Sequence, residues 1–185
     1  MDVTGIVLAA GAGSRAGGPK ALRTAPDGEP WLAIACEALR DGGCREVIAV
    51  LGDEADAAAG LLPRGVLPVV ATDWYQGQSA SLKVGLAAAA TSNADAVLLT
   101  LVDLPGQTAA AARRVISAGV DHPRGTLARA HFDGEPGHPV LLGRDHWGAI
   151  AETVSGDQGA RDYLRKHLTF EVDCSDLGGG ADSDD

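Results

Sequence analysis

Aromatic side chains and cysteines are scarce in this sequence. Only 4% of the 185 residues are aromatic, so a core has to be built from Val, Leu, Ile and Ala. The three cysteines, Cys36, Cys44 and Cys174, are odd in number and show no Cys-x-x-Cys spacing. This pattern argues against a disulfide framework and against a zinc site, and it favours buried thiols in a reducing compartment.

Long hydrophobic runs are also missing. Hydrophobic residues make up 45% of the chain, which indicates a globular protein. No apolar run approaches the roughly 20 residues that a membrane-spanning helix needs. The first residues, Met1-Asp2-Val3, lack the positive segment of a signal peptide. We therefore expect a cytoplasmic protein without membrane association.

The sequence has no excess of positive charge. The formal net charge is −10, and six of the acids follow position 170 with no Lys or Arg among them. A nucleic-acid partner requires a basic face, so none is expected. The glycine- and aspartate-rich end is typical of a solvated terminus. We predict a single domain over residues 1–177 and a disordered acidic tail over residues 178–185.

Apolar runs and helically spaced segments alternate along the chain. Strands are predicted at residues 3–9, 46–51, 66–70, 94–102, 126–130, 140–142 and 170–173. Helices are predicted at residues 31–39, 53–61, 79–90, 109–118, 145–154 and 157–167. This alternation predicts a Rossmann-like α/β fold, a three-layer α/β/α domain with a mostly parallel sheet. Ligands of such sheets bind beyond the carboxyl ends of the strands.

A glycine-rich loop follows the first predicted strand, with the sequence Leu8-Ala9-Ala10-Gly11-Ala12-Gly13-Ser14-Arg15-Ala16-Gly17-Gly18-Pro19-Lys20. Glycines allow the backbone to aim successive N–H groups at an anion. Arg15 and Lys20 add positive charge beside these groups. The loop therefore has the composition that a triphosphate site requires.

Three other interpretations of this loop compete with a triphosphate site. Gly11-x-Gly13-x-x-Ala16 loosely matches a dinucleotide fingerprint, but that motif needs a helix to begin inside it, and Gly17, Gly18 and Pro19 disfavour one. A P-loop needs Gly-Lys before Ser or Thr, and the chain contains no Gly-Lys pair. A turn without any ligand stays open, although Arg15 and Lys20 are poor turn residues.

The segment from Leu8 to Lys20 resembles the loop of the sugar- and cofactor-nucleotidyltransferase superfamily. Its Pro-Lys ending is most similar to the molybdenum cofactor cytidylyltransferase branch, the MobA-like NTP transferases. The family usually has Met or Phe after the arginine, where this chain has Ala16. The resemblance implies that the loop binds the NTP through Leu8, Ala9, Ala10, Gly11, Gly13 and Ser14. It implies that Arg15 and Lys20 neutralise the phosphates.

An acidic residue ends the most apolar predicted strand. A lone carboxylate there is costly unless it binds something, and Mg2+ prefers one or two carboxylates plus phosphate oxygens. Asp103 therefore suits a metal ligand, and the family has its metal aspartate in a similar hydrophobic-x-Asp-x-Pro motif. Turn capping before Pro105 is the alternative. The resemblance also nominates Asp157 as a second ligand, with a helix N-cap as the alternative.

Two further segments resemble the family. Residues 77–86 are similar to a G-x-S-x-S-L-x-x-G-L stretch that lines the nucleotide base, which implies that Gln78, Ser79 and Ser81 lie near the base or ribose. Helix N-capping by Ser79 is equally compatible with the sequence. Gly137-His138-Pro139 resembles a stretch that shapes the acceptor side. His138 would orient the acceptor phosphate there, or it is an ordinary surface-loop histidine.

The motifs together predict an Mg2+-dependent nucleotidyltransferase with Arg15, Lys20 and Asp103 as catalytic residues. By resemblance, it would transfer CMP from CTP to the molybdenum cofactor and release pyrophosphate. The alternatives are GTP with the same acceptor, a sugar or alcohol phosphate acceptor, and a non-catalytic nucleotide-binding protein that serves a molybdoenzyme. A molybdoenzyme or its chaperone is a possible partner. A dinucleotide-dependent oxidoreductase is the rival from another enzyme class.

Overall fold

A computed structural model describes residues 1–13 and 17–179 of the chain. In these ranges seven strands alternate with six α-helices, with short 3-10 turns between them. The strands are β1 Val3–Ala9, β2 Glu46–Leu51, β3 Leu67–Val70, β4 Ala96–Leu101, β5 Leu127–Phe132, β6 Glu135–Gly143 and β7 Phe170–Asp173. The helices are α1 Trp31–Gly42, α2 Ala55–Ala59, α3 Gln78–Ala90, α4 Ala109–Ser117, α5 Trp147–Thr153 and α6 Arg161–Lys166.

All seven strands form one sheet in the order β3-β2-β1-β4-β6-β5-β7. Pairing is parallel except where β6 runs antiparallel to β4 and β5. Helices α1 and α4 bury one face of the sheet, and α3, α5 and α6 bury the other. Because both faces are covered, every residue of β1 is buried. The predicted Rossmann-like, mostly parallel, three-layer fold is confirmed.

Strands β5 and β6 are longer than the sequence pattern predicted, and they form a hairpin. Their turn is Asp133-Gly134, and both residues have positive φ, at 52° and 86°. Turns with two left-handed residues match the twist of paired strands, and Asp-Gly is a common sequence for them. The hairpin extends β6 back to Glu135, so His138 lies in a strand. The surface-loop alternative for His138 is therefore wrong.

The predicted helix over residues 157–167 is interrupted. Gly159 has φ 52° and ψ −134°, a conformation that a helix cannot contain and that glycine adopts readily. A 3-10 turn, Gly156–Gln158, precedes it, and α6 begins only at Arg161 with Ala160 as its N-cap. The N-cap alternative for Asp157 is therefore wrong. Thr108 caps α4, because its hydroxyl accepts a hydrogen bond from the Ala111 N–H.

The C-terminal part of the described chain returns to the loop that follows β4. Arg114 of α4 anchors it by donating to the Asp173 carbonyl at 2.8 Å and pairing with both carboxylate oxygens of Asp176. A Cβ on Gly179 would lie only 2.5 Å from the Gly106 carbonyl oxygen, so the two backbones are in close contact. The predicted disordered tail mostly concerns residues 180–185, which lie outside the described ranges.

All three cysteines are free and buried. Burial raises the pKa of Cys36 and of Cys44 to about 12, so both stay protonated thiols at neutral pH. Buried, unreactive thiols were expected, and the structure agrees with that expectation. Within residues 1–13 and 17–179, no helix combines the length and the apolar character that crossing a bilayer demands.

Candidate active site

A cleft of about 880 Å³ opens where β1 and β4 end. These neighbouring parallel strands end at the same edge of the sheet, which is where α/β folds bind ligands. One side of the cleft is the loop over residues 8–13. The rest comes from Lys20, the turn at Trp74 and Tyr75, the start of α3, Asp103 and Asp157. Most of the predicted site residues that the structure describes therefore meet in one place.

The glycine loop closes on itself next to β1. The Gly18 N–H donates to the Gly13 carbonyl at 3.2 Å. Gly13 has φ 57°, and a Cβ there would lie 1.9 Å from the Gly18 carbonyl oxygen, so the loop requires glycine at this position. A Cβ on Gly11 would meet nothing within 4 Å, which leaves space beside the backbone for a ligand. Ser14 and Arg15 lie outside the described residues, and their predicted roles stay predictions.

Lys20 and Asp103 connect this loop to the end of β4. Lys20 Nζ lies 3.2 Å from Asp103 Oδ2, and the two side chains are 18% and 28% exposed. The other carboxylate oxygen, Oδ1, is buried without a hydrogen-bond partner among the described residues. A buried carboxylate oxygen of this kind is costly unless it binds a cation or a donor.

Because of this unpartnered oxygen, Asp103 is suited to be a magnesium ligand. Mg2+ usually takes one or two carboxylates and completes its shell with water and substrate phosphates. The part of the chain that the structure describes contains no group of three or more His, Cys, Asp and Glu side chains placed to hold a metal ion. The carboxylate of Asp103 is the kind of ligand that such a cation shares with substrate phosphates.

Gln107 fixes the loop that carries Asp103, and sequence analysis did not single it out. Its side-chain amide donates to the carbonyls of Leu101 at 2.8 Å and Leu104 at 3.1 Å. Its carbonyl oxygen accepts from the buried hydroxyl of Thr100. These contacts span the residues on both sides of Asp103, so Gln107 restricts the position of the carboxylate. No sequence motif marks such a residue.

The start of α3 brings Asp157 to the cleft. Gly77 has φ 111°, and a Cβ on it would lie 2.7 Å from Asp157 Oδ1 and 2.6 Å from the carbonyl carbon of Gly156. This close packing holds the exposed Asp157 against the first turn of α3. Asp157 and Asp103 are far apart in the sequence, yet both therefore line the same cleft.

The three predicted nucleotide contacts of α3 differ in position. Gln78 and Ser81 line the cleft. Ser79 is 2% exposed, and its hydroxyl is buried without a hydrogen-bond partner among the described residues. It lines neither cavity, so the geometry does not support a contact with the base or ribose. Ser79 is not the N-cap either, because that position belongs to Gly77.

A second cavity of about 510 Å³ adjoins the cleft, and Leu8, Gln78, Leu101 and Asp157 line both. The lining of the second cavity is mixed: leucines of α3, β4 and α6 supply apolar atoms, and polar side chains supply the rest. Its polar side chains include His138, Arg129, Glu135 and Arg161. The segment around Gly137 therefore contributes to a separate cavity beside the nucleotide-sized cleft.

The three basic side chains of the second cavity differ in charge and in pairing. Desolvation lowers the pKa of His138 to about 4, the negative charge of Asp103 opposes this shift, and the positive charge of Arg161 adds to it. His138 is therefore neutral at physiological pH. Arg129 is paired with Glu171, with Nη2 and Oε1 2.7 Å apart. Arg161 is exposed at the cavity and supplies the cation best placed for a ligand.

Two adjoining cavities suit the transfer of a group between two substrates. The first offers backbone N–H groups, a lysine and a carboxylate, which suit phosphates and a divalent cation. The second offers leucine side chains together with polar and charged groups, among them Arg161. Gln78 and Asp157 line both, so they lie where the two cavities adjoin.

Comparisons with known proteins agree with this architecture. The family model described as the MobA-like NTP transferase domain matches residues 5–171. Nicotine blue oxidoreductase of Paenarthrobacter nicotinovorans is 40% identical, over 98% of this chain and 92% of its own length. Rv0371c from Mycobacterium tuberculosis H37Rv superposes with a TM-score of 0.81 at 31% identity, covering 94% of this chain and 88% of that one.

Two more superpositions extend this picture. A complex of Rv0371c with manganese has a TM-score of 0.77 at 28% identity, again over 94% of this chain and 88% of that one. A nucleotidyl transferase from Methanothermobacter has a TM-score of 0.75 at 22% identity, with the same coverage, and supports the fold alone. The family match spans most of the chain, from β1 to β7. The chain belongs to the family of MobA-like NTP transferase domains.

Proposed function

We propose that this protein is an Mg2+-dependent nucleotidyltransferase that transfers CMP from CTP to the phosphate of the molybdenum cofactor. An oxygen of the acceptor phosphate attacks the α-phosphorus of CTP, the bond from the α-phosphorus to the bridging oxygen breaks, and pyrophosphate leaves. The observation that supports the proposal most strongly is the Lys20–Asp103 pair, which lies where the glycine loop meets β4.

The nucleotide half of the reaction belongs to the first cleft. The backbone N–H groups from Gly11 to Gly13 would hold the triphosphate, together with Lys20 and Arg15. Asp103, with Asp157 across the cleft, would hold Mg2+, which would neutralise the charge that develops on the phosphates. The manganese complex of Rv0371c supports a divalent cation in this family.

The acceptor half belongs to the second cavity. Its lining combines leucine side chains with polar groups such as Arg129, Glu135 and Arg161, which would suit a ring system that carries hydrogen-bonding substituents. Arg161 would attract the acceptor phosphate, whereas neutral His138 would only donate or accept a hydrogen bond. The acceptor phosphate is already ionised at neutral pH, so the reaction needs no strong general base. A molybdoenzyme or its chaperone, in the cytoplasm, would be the natural recipient of the product.

A binding and turnover series tests this proposal. Calorimetry with each of the four NTPs, with and without Mg2+ or Mn2+, should show CTP binding most tightly and only weakly without a divalent cation. Pyrophosphate release should then depend on added molybdenum cofactor. If GTP binds best, the base assignment is wrong while the chemistry stands. If no NTP binds at millimolar concentration, the proposed function is wrong.

A second candidate function rests on one observation, the 40% identity to nicotine blue oxidoreductase over 98% of this chain. In that case the first cleft would bind a reduced nicotinamide dinucleotide as hydride donor, and the second cavity would bind an aromatic acceptor. Stoichiometric oxidation of NADH or NADPH with nicotine blue, unchanged by removal of divalent cations, would support this function. Pyrophosphate release from CTP without dinucleotide binding would exclude it.

A further inference from the structure

Two adjacent aromatic residues stand at the first cleft without a role in the chemistry described so far. Trp74 and Tyr75 lie in a 3-10 turn, Trp74–Gln76, between β3 and α3, and both line the cleft. Their rings meet edge to face, with centroids 6.3 Å apart. Only 4% of the chain is aromatic, so a pair at the cleft is a notable use of a rare residue class.

The turn beneath the pair is fixed. The N–H groups of Trp74, Gln76 and Gly77 donate to the carbonyls of Ala71, Asp73 and Trp74, at 3.2, 2.9 and 3.1 Å. The indole lies against Gly52, where a Cβ would approach Trp74 Cγ to 2.7 Å and the Ala10 carbonyl oxygen to 2.4 Å. Trp74 is therefore held next to the glycine loop, and its ring packs against the ring of Tyr75.

Tyr75 is 71% exposed. In the described ranges its hydroxyl makes no hydrogen bond, and its only ring contact is with Trp74. Leaving an aromatic ring in water forgoes burial of apolar surface, and ring faces exposed at a cleft are a usual means of binding flat ligands. The ring of Tyr75 is therefore packed against Trp74 and otherwise largely exposed to solvent.

Small residues form the wall that the glycine loop contributes to the same cleft. Ala9, Ala10, Gly11, Ala12 and Gly13 have no bulky side chains, so a flat ring can approach the backbone there. The same loop is where the triphosphate is expected, and a nucleotide bound there would extend its base toward other walls of the cleft. Among the described lining residues, Trp74 and Tyr75 alone are aromatic.

We propose that Tyr75, supported by Trp74, stacks on the base of the bound nucleotide. The inference rests on the proposed function, because it requires a nucleotide in the first cleft. Every base has a π-face, so stacking strengthens binding of all four NTPs and discriminates weakly among them. Base selection then falls to the polar groups of the cleft, such as Gln78 and Ser81.

The test measures Kd by calorimetry for CTP, GTP, ATP, UTP and tripolyphosphate, each with Mg2+. Tyr75→Leu should raise the Kd of every NTP about tenfold, which corresponds to about 1.4 kcal/mol. Tripolyphosphate, which has no base, should bind the variant as it binds the wild type. Tyr75→Phe keeps the ring and should stay within twofold of the wild type. Phe170→Leu removes another exposed aromatic ring, 51% exposed and away from the cleft, and serves as the matched control.

The outcomes separate this inference from the proposed function. If the wild type binds NTPs and Tyr75→Leu binds them equally well, stacking is refuted and the proposed function stands. If Tyr75→Leu weakens tripolyphosphate as much as CTP, the residue acts on the loop rather than on the base, and stacking is refuted. If the wild type binds tripolyphosphate but gains nothing from a base, stacking is refuted as well. If the wild type binds neither NTPs nor tripolyphosphate, both proposals fail.

Discussion

Replacing Asp103 with Asn changes one charge and almost no volume, so it isolates the electrostatic role of this side chain. At the 3.2 Å separation from Lys20, unit charges attract by about 5 kcal/mol at an effective dielectric constant near 20. Desolvation and the ordering of both side chains offset most of this attraction, and partly exposed pairs contribute about 1 kcal/mol or less. We expect the free energy of unfolding of Asp103→Asn to differ from the wild type by no more than about 1 kcal/mol.

The expected effect on turnover is much larger. Removing one preorganised group that stabilises developing charge lowers kcat by a factor of about 100 to 1,000, equivalent to about 3–4 kcal/mol. The buried oxygen Oδ1 has no partner among the described residues, so this oxygen can serve a cation while Oδ2 contacts Lys20. The variant should also require more Mg2+ for half-maximal activity, because an amide oxygen is a weaker ligand than a carboxylate.

Urea unfolding and a pyrophosphate-release assay over a range of Mg2+ concentrations measure the two effects separately. Asp145→Asn is the matched control: Asp145 also forms an ion pair, 3.3 Å from Arg124, but lines neither cavity. It should keep the wild-type kcat. The reasoning is refuted if Asp103→Asn retains kcat within threefold of the wild type with the same Mg2+ dependence.

Three further predictions follow from the site. Gly13→Ala should lower the free energy of unfolding by at least about 1 kcal/mol, because the new Cβ meets the Gly18 carbonyl and the residue has positive φ. Gly11→Ala should unfold like the wild type in urea but bind CTP more weakly, because its Cβ enters the space beside the loop. Gln107→Leu should lower kcat about tenfold with little change in the Kd of CTP in calorimetry, and a larger change in Kd would contradict a positioning role. The depressed pKa of His138 means that the unfolded chain binds its proton more readily, so stability is lost as the pH falls from about 6.5 to about 4. Urea unfolding at pH 7.5 and 5.0 should show a smaller acid loss for His138→Gln than for the wild type, and an equal loss would contradict the assignment.

The meeting of the glycine loop and Asp103 at one cleft could be predicted from the sequence, because each of them directly follows a predicted strand. The glycine loop follows β1 directly, and Asp103 follows β4 within two residues, so strand order alone places them at one edge of the sheet. The sequence also predicted the fold class, since the alternation of apolar runs and helical segments is a property of the chain itself.

The remaining features depend on contacts between distant segments. The antiparallel direction of β6 depends on which strands it pairs with. Asp133-Gly134 is a hairpin signal in the sequence, but it did not enter the prediction. The depressed pKa of His138 comes from what surrounds it in the folded chain. No motif marks Gln107 or Tyr75. Gln107 is recognised by the carbonyl groups that it contacts, and Tyr75 by the cleft that it lines.

The contact between Gly179 and Gly106 makes a late segment of the chain part of the second cavity. The glycine loop of residues 8–13, early in the sequence, lines only the first cleft apart from Leu8, whereas Gly179 lines only the second cavity. A substitution in the segment that carries Gly179 would therefore alter the wall of the second cavity and leave the glycine loop of residues 8–13 as it is.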